Sequence, residues 1–139
     1  MGELLLRKIL ACRDRIEKLK QAIPSHAEDI TADERLESFL SFHLFLLIQD
    51  AVDLAAHMVA ERGLAVPASH RESFEALARA GILTAKSAEA MARMASLRNR
   101  IAHSYGEVDV VRMVRELPAG LTDARQFLDE LVLATSKPE

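Results

Sequence analysis

Residues 25–62 contain neither glycine nor proline, and this unbroken run constrains the fold more than any motif does. A chain that turns so rarely spends its length in helices, because all-β folds need Gly- and Pro-rich turns at short intervals. Apolar residues in and around the run recur at three- and four-residue steps, the period of a buried helix face. Half of the residues are hydrophobic but only 4% are aromatic, with no Trp. The core is therefore built from Leu, Ala, Ile, Val and Met, a palette that favours helices over sandwiches or barrels. The 139 residues suit one domain of ordinary size. The expectation is all-α: a single-domain antiparallel bundle over residues 1–139, of about five to six helices. Its second helix is long and central, and a polar tail falls within residues 131–139.

Caps and breakers set the expected boundaries. Leu4, Leu5, Ile9, Cys12, Ile16, Leu19 and Ile23 mark one amphipathic helix over residues 2–22, ended by Pro24 and Ser25. Thr31 with Glu34 three residues on is a capping-box signature, opening a second helix that stops at Gly63. Its apolar run at 39–48 is too short for a membrane span of about 20 residues and reads as core. Ser69 and Glu72 repeat the capping signature for a short helix closing near Gly81. A fourth helix covers 85–105, rich in Ala and Met. Beyond Gly106, a short fifth helix ends at Leu117-Pro118, because proline disfavours helix in the residue before it. A last helix carries Leu121, Phe127, Leu128 and Leu131.

A net charge of -3 and a pI near 6.0 advertise no nucleic-acid or anionic-membrane partner. Local charge differs. Residues 91–115 hold five arginines against two acids, and residues 27–53 hold seven acids against the single Arg35. The lone Cys12 makes no internal disulfide and reads as a small buried hydrophobe, and no signal peptide is visible at the start. These readings favour a cytoplasmic chain with no membrane partner.

The arginine-rich segment contains "RNRIAHSYGEVD" at 98–109. On a helix advancing about 100° per residue, Asn99 and His103 share a face, as do Arg98 and Tyr105. Arg98 and His103 stand about 140° apart. To act on one small target they need a distorted helix end or a second copy of the helix, which a two-fold dimer supplies. Guanidinium binds phosphate oxygens with a rigid fork. Imidazole can take a proton from an RNA 2'-hydroxyl or give one to the departing 5'-oxygen, a reaction that needs no metal and leaves a cyclic phosphate. The competing reading is that Arg, His and Tyr sit there to complement the helix dipole and bond the last carbonyls.

Arg98, His103 and Tyr105 together form R-x-x-x-x-H-x-Y, which resembles the signature of the HEPN superfamily, in particular its HepT-like toxins of HepT/MntA-type systems. "DAVDLAAHMVAERGLAVPASHRESFEAL" at 50–77 followed by "LRNRIAHSYGEVD" at 97–109 is similar to that family's long second helix, short connecting helix and motif-bearing helix, in the same order. The resemblance implies an all-α homodimer acting as a metal-independent endoribonuclease toxin on RNA. It implies a minimal nucleotidyltransferase antitoxin as partner, and no cofactor. Arg98 and His103 then match the catalytic pair, Asn99 a polar residue that orients His103, and Tyr105 both a supporting group and the acceptor of adenylate groups from the antitoxin. The alternative function is a non-catalytic helical partner or accessory subunit of a small nucleotidyltransferase.

Asp50, Asp53 and His57 form one stripe on the second helix. A metal site there lacks a second set of ligands, and the preferred reading pairs Asp53 with His57 in a cleft or at a dimer seam. His43, inside the apolar run, reads as a satisfied core or interface histidine, and His70 as solvent-exposed. Arg112 and Arg115 either extend a phosphate-binding surface or form a solvated helix face.

Overall fold

The structure, a computed structural model, describes residues 2–24, 29, 33–103 and 110–135, with the backbone alone at 98–103 and 110–114. Among the described residues there are five helices and no strand: α1 Glu3–Ala22, α2 Glu34–Glu61, α3 His70–Arg79, α4 Ala85–His103 and α5 Val110–Thr135. The all-α expectation holds.

Each helix begins and ends for a local reason. α1 buries Leu5, Ile9, Cys12, Ile16 and Leu19, the expected stripe, and stops where Ile23, the residue before Pro24, turns extended at φ -68° and ψ 120°. The cap of α2 is Asp33, whose carboxylate accepts from the amides of Arg35 and Leu36 at 3.0 and 3.2 Å. The expected cap, Thr31, lies outside the described residues. Asp caps as well as Thr does, and the helix starts one residue after it. α2 ends in a Schellman turn: Gly63 sits at φ 64°, and the Leu64 amide donates to Val59 O at 3.0 Å. α3 has the expected Ser69 cap, accepting from the Glu72 amide at 3.1 Å, while Glu72 accepts from the Ala68 amide at 2.8 Å. It closes with Gly81 at φ 79°.

α5 departs from the expectation of two separate helices. It runs unbroken through Pro118. Leu117, Leu121, Ala124, Phe127, Leu128 and Leu131 form one buried stripe across the proline, while Pro118 itself is exposed. Burying a large apolar side chain is worth about 1.5–3 kcal/mol, so this stripe outweighs a proline penalty of about 3 kcal/mol. Gly120 is inside the helix too. A Cβ there would meet the Met94 methyl at 3.3 Å, so the missing side chain lets α4 and α5 approach.

One core cluster joins the five helices, with α2 at its centre through Leu40, Leu44, Leu47, Ile48, Leu54 and Met58. By length and apolarity α2 would pass for a membrane-crossing helix, but its inner face is packed against the rest of the bundle. Phe74 of α3 meets Phe127 of α5 edge to face, 5.8 Å between ring centroids. α4 packs through Ala88, Ala92 and Ala95, whose small side chains allow a close approach, with Met91 and Met94 filling the gaps.

Candidate active site

Arg98, Asn99 and His103 lie at the end of α4, and the opposite end of that helix is firmly held. Glu130 of α5, only 9% exposed, accepts from the Thr84 amide at 2.6 Å, from Ser87 Oγ at 2.5 Å, from Gln126 Nε2 at 2.9 Å and from Thr84 Oγ1 at 3.3 Å. A carboxylate from a neighbouring helix thus satisfies free donors at the α4 N-terminus, where the helix dipole also favours negative charge. Thr84 Oγ1 caps the Ser87 amide at 3.1 Å. Sequence reasoning missed Glu130. Its signal was a charge set among Phe127, Leu128 and Leu131, in the buried stripe of α5.

From that anchor α4 runs as a continuous helix to His103. Arg98, Asn99 and His103 occupy its last two turns. The backbone is helical between Arg98 and His103, so their positions differ by about 140° around the axis and about 7.5 Å along it, while Asn99 and His103 share a face. Tyr105, Glu107 and Asp109 lie outside the described residues. Arg115, on α5, is exposed.

The second polar group lies between α1 and α2. Arg15 Nε donates to Asp50 Oδ2 at 3.0 Å, and its NH1 donates to His43 Nδ1 at 3.0 Å. Since guanidinium has no acceptor, this bond assigns the His43 proton to Nε2. His43 is the satisfied histidine that was expected. Its pKa is lowered from 6.5 by burial first, then by the charges of Arg15 and Lys18. Buried beside this group, the Cys12 thiol is pushed up to about 12, by desolvation first and the Asp50 charge second. It stays a protonated, inert thiol at neutral pH.

The stripe of Asp50, Asp53 and His57 is divided. Asp50 is drawn toward α1 by Arg15, and exposed Asp53 accepts from Gln49 Nε2 at 2.9 Å rather than pairing with His57. The Gln49 amide, four residues back on the same face, reaches Asp53 first. His57 is half-buried and His70 exposed.

An all-helical bundle that brings an R-x-x-x-x-H segment to the end of a buried-anchored helix is a HEPN-type protein. Residues 12–131 match the ribonuclease HepT-like family, and the chain belongs to that family. It is similar to the mRNA nuclease HepT of Shewanella oneidensis, 26% identical over 129 residues that cover 93% of this chain and 96% of that protein. Its fold is similar to the tri-AMPylated Shewanella oneidensis HEPN toxin solved in complex with the MNT antitoxin: TM-score 0.86, 25% identity, 96% of this chain and 99% of that one. The Bacillus subtilis protein YutE, a cytosolic protein of unknown function, shares the fold at a TM-score of 0.82 and 15% identity, covering 97% of this chain and 92% of its own.

Proposed function

We propose that this chain is the cytoplasmic endoribonuclease toxin of a toxin-antitoxin pair, cleaving RNA without metal and neutralised by a nucleotidyltransferase antitoxin. The observation that carries this reading is the family match over residues 12–131, which spans the α4 segment bearing Arg98 and His103. The Shewanella oneidensis relatives, an mRNA nuclease and a HEPN toxin solved in complex with MNT antitoxin, support both halves of it.

The chemistry follows from the side chains. His103 takes the proton from an RNA 2'-hydroxyl, whose oxygen attacks the adjacent phosphorus. The bond from phosphorus to the 5'-oxygen breaks, and an imidazolium returns a proton to that oxygen. The products are a 2',3'-cyclic phosphate and a 5'-hydroxyl. DNA, lacking the attacking group, is inert. Arg98 binds the phosphate and stabilises the charge that develops on the pentacoordinate phosphorus. Asn99, one turn from His103, orients the imidazole. Because the helix is regular between them, Arg98 and His103 are splayed on one α4, and a homodimer pairs Arg98 of one copy with His103 of the other. Asp53 and His57 then belong to the cleft or the dimer seam. Tyr105 accepts adenylate from the antitoxin, and the added phosphodiester occupies the Arg98 guanidinium that the substrate needs.

The test is RNA cleavage in the presence of a chelator, comparing the wild-type chain with His103→Ala. Losing general acid-base catalysis costs about 10²–10⁴ in rate. Equal cleavage by the two chains refutes the assignment.

A further inference from the structure

Aromatic rings stand together on the N-terminal half of α2. Phe39 and His43 lie with ring centroids 4.3 Å apart, tilted by 43°, and Phe42 meets the same imidazole edge-on at 5.7 Å. The core absorbs neither phenylalanine: Phe39 is 39% and Phe42 59% exposed. With Glu34, Arg35 and Ser38 these rings line an open hollow of about 550 Å³, ample for one nucleobase and its ribose.

The polar groups of the hollow suit a flat ligand with hydrogen-bonding edges. Asp50 accepts from Arg15 Nε at 3.0 Å, and Arg15 NH1 donates to His43 Nδ1 at 3.0 Å. This relay fixes the imidazole and leaves Nε2–H as the donor that the ring offers. The Ser38 hydroxyl and the Arg35 guanidinium add donors, and the Glu34 carboxylate adds an acceptor, the mixture that a base edge requires. An aliphatic anchor from a protein would bury those groups without partners. A phosphate would face Glu34, with Asp33 and Glu37 near it in sequence. These acids repel a nucleic-acid backbone but not a neutral base, and an aromatic face stacks on any base.

The hollow also lies at the end of the bundle where the proposed chemistry lies. Arg62 at the end of α2 donates to Ala134 O of α5, Glu130 of α5 holds Thr84, and Met94 meets Gly120 of α5. α4 therefore starts at the C-terminal end of α2 and returns along it. Counted back at about 1.5 Å per residue, His103 comes to about the level of Phe39. Phosphate recognition then falls to α4 and base recognition to α2. We propose that this hollow is a nucleobase subsite for single-stranded RNA: a base flanking the cleaved phosphodiester stacks on Phe42 and Phe39, and His43, Ser38, Arg35 and Glu34 meet its edge. The subsite rests on the proposed function for its place in a reaction, and on the hollow for its chemistry.

The test is binding of a fluorescein-labelled single-stranded RNA of mixed sequence, followed by anisotropy, to the full-length His103→Ala chain, which leaves the RNA intact. Adding Phe42→Leu keeps an apolar side chain but removes the ring and should weaken binding about tenfold, whereas adding Phe42→Tyr should keep it within about twofold. The slope of log affinity against log salt should be the same for all three chains, because stacking releases no counterions. RNA built with abasic riboses should bind the His103→Ala chain and its Phe42→Leu derivative equally. Circular dichroism and sedimentation mass should be unchanged by Phe42→Leu, since Phe42 is exposed. A chain that binds no RNA, a Phe42→Leu derivative equal to its parent, a deficit that persists with abasic RNA, or a loss shared by Leu and Tyr would overturn the proposal. So would a change of mass with Phe42→Leu, since the face would then belong to a second copy. Cleavage is not read in this assay. A wild type that binds through Phe42 but leaves RNA uncut would refute the ribonuclease and keep the subsite; one that cuts RNA without any dependence on the ring would do the reverse.

Discussion

Glu130 shows how one side chain sets the position of a helix on which the proposed chemistry depends. Burial alone would raise its pKa, but the bonds from Ser87, the Thr84 amide, Gln126 and the Thr84 hydroxyl outweigh it and hold the carboxyl below the ordinary 4.5. A folded-state pKa below the unfolded one means that the carboxylate stabilises the fold fully above about pH 4.5 and loses that contribution as pH falls through the lower folded value. Glu130→Gln keeps the shape and removes the charge. It should cost about 1–3 kcal/mol at pH 7, and the gap to wild type should narrow below pH 4.5. Urea denaturation at pH 7 and pH 3 checks this; a gap of equal size at both would mean that charge is not what Glu130 contributes. Tyr105 poses a different question at this scale, since its proposed role is to receive a group. Tyr105→Phe removes only the acceptor oxygen. It should cleave RNA within a few-fold of wild type and become resistant to neutralisation by the nucleotidyltransferase and ATP; a Tyr105→Phe chain still silenced by adenylate transfer would place the switch at another residue.

Among the elements, those whose limits are local decisions were legible in the sequence. Ser69 with Glu72, Gly63 and Gly81 each satisfy backbone groups within a few residues of themselves, so their roles can be read without knowing the fold. The stripe of α1 was legible for the same reason, being a period rather than a contact. Pro118 was misread because its local preference is overruled by what α5 touches: Leu117 and Leu121 on either side are both buried against other helices, and no window of sequence displays that. Glu130 escaped notice likewise, since its partners Thr84 and Ser87 are more than forty residues away. The motif-bearing end of α4 was legible as a pattern of residue types, whereas the anchor that fixes that helix was not. The proline yields a direct test. Pro118 lies on the exposed face of α5 and deprives the Val114 carbonyl of its helical donor. Pro118→Ala restores the donor and should stabilise the chain by about 1–3 kcal/mol, raising the thermal midpoint by several degrees. A lower midpoint would mean that the ring is part of the packing of α5.

At the scale of the whole molecule, the regular backbone of α4 raises a question of stoichiometry. If Arg98 and His103 acted from one helix, each chain would be a complete enzyme, and two different inactive chains would stay inactive when mixed. If each site takes Arg98 from one copy and His103 from the other, mixing has a calculable outcome. An Arg98→Ala chain contributes an intact His103, and a His103→Ala chain contributes an intact Arg98. In a mixed dimer one of the two sites then holds both native residues, and the other holds neither. Random exchange of equal amounts makes half of the dimers mixed, so about a quarter of all sites should be native. Cleavage by the equimolar mixture, after time for subunit exchange, should approach a quarter of the wild-type rate, with either variant alone near background. No recovery in the mixture, with exchange verified by mass, would return both residues to a single helix.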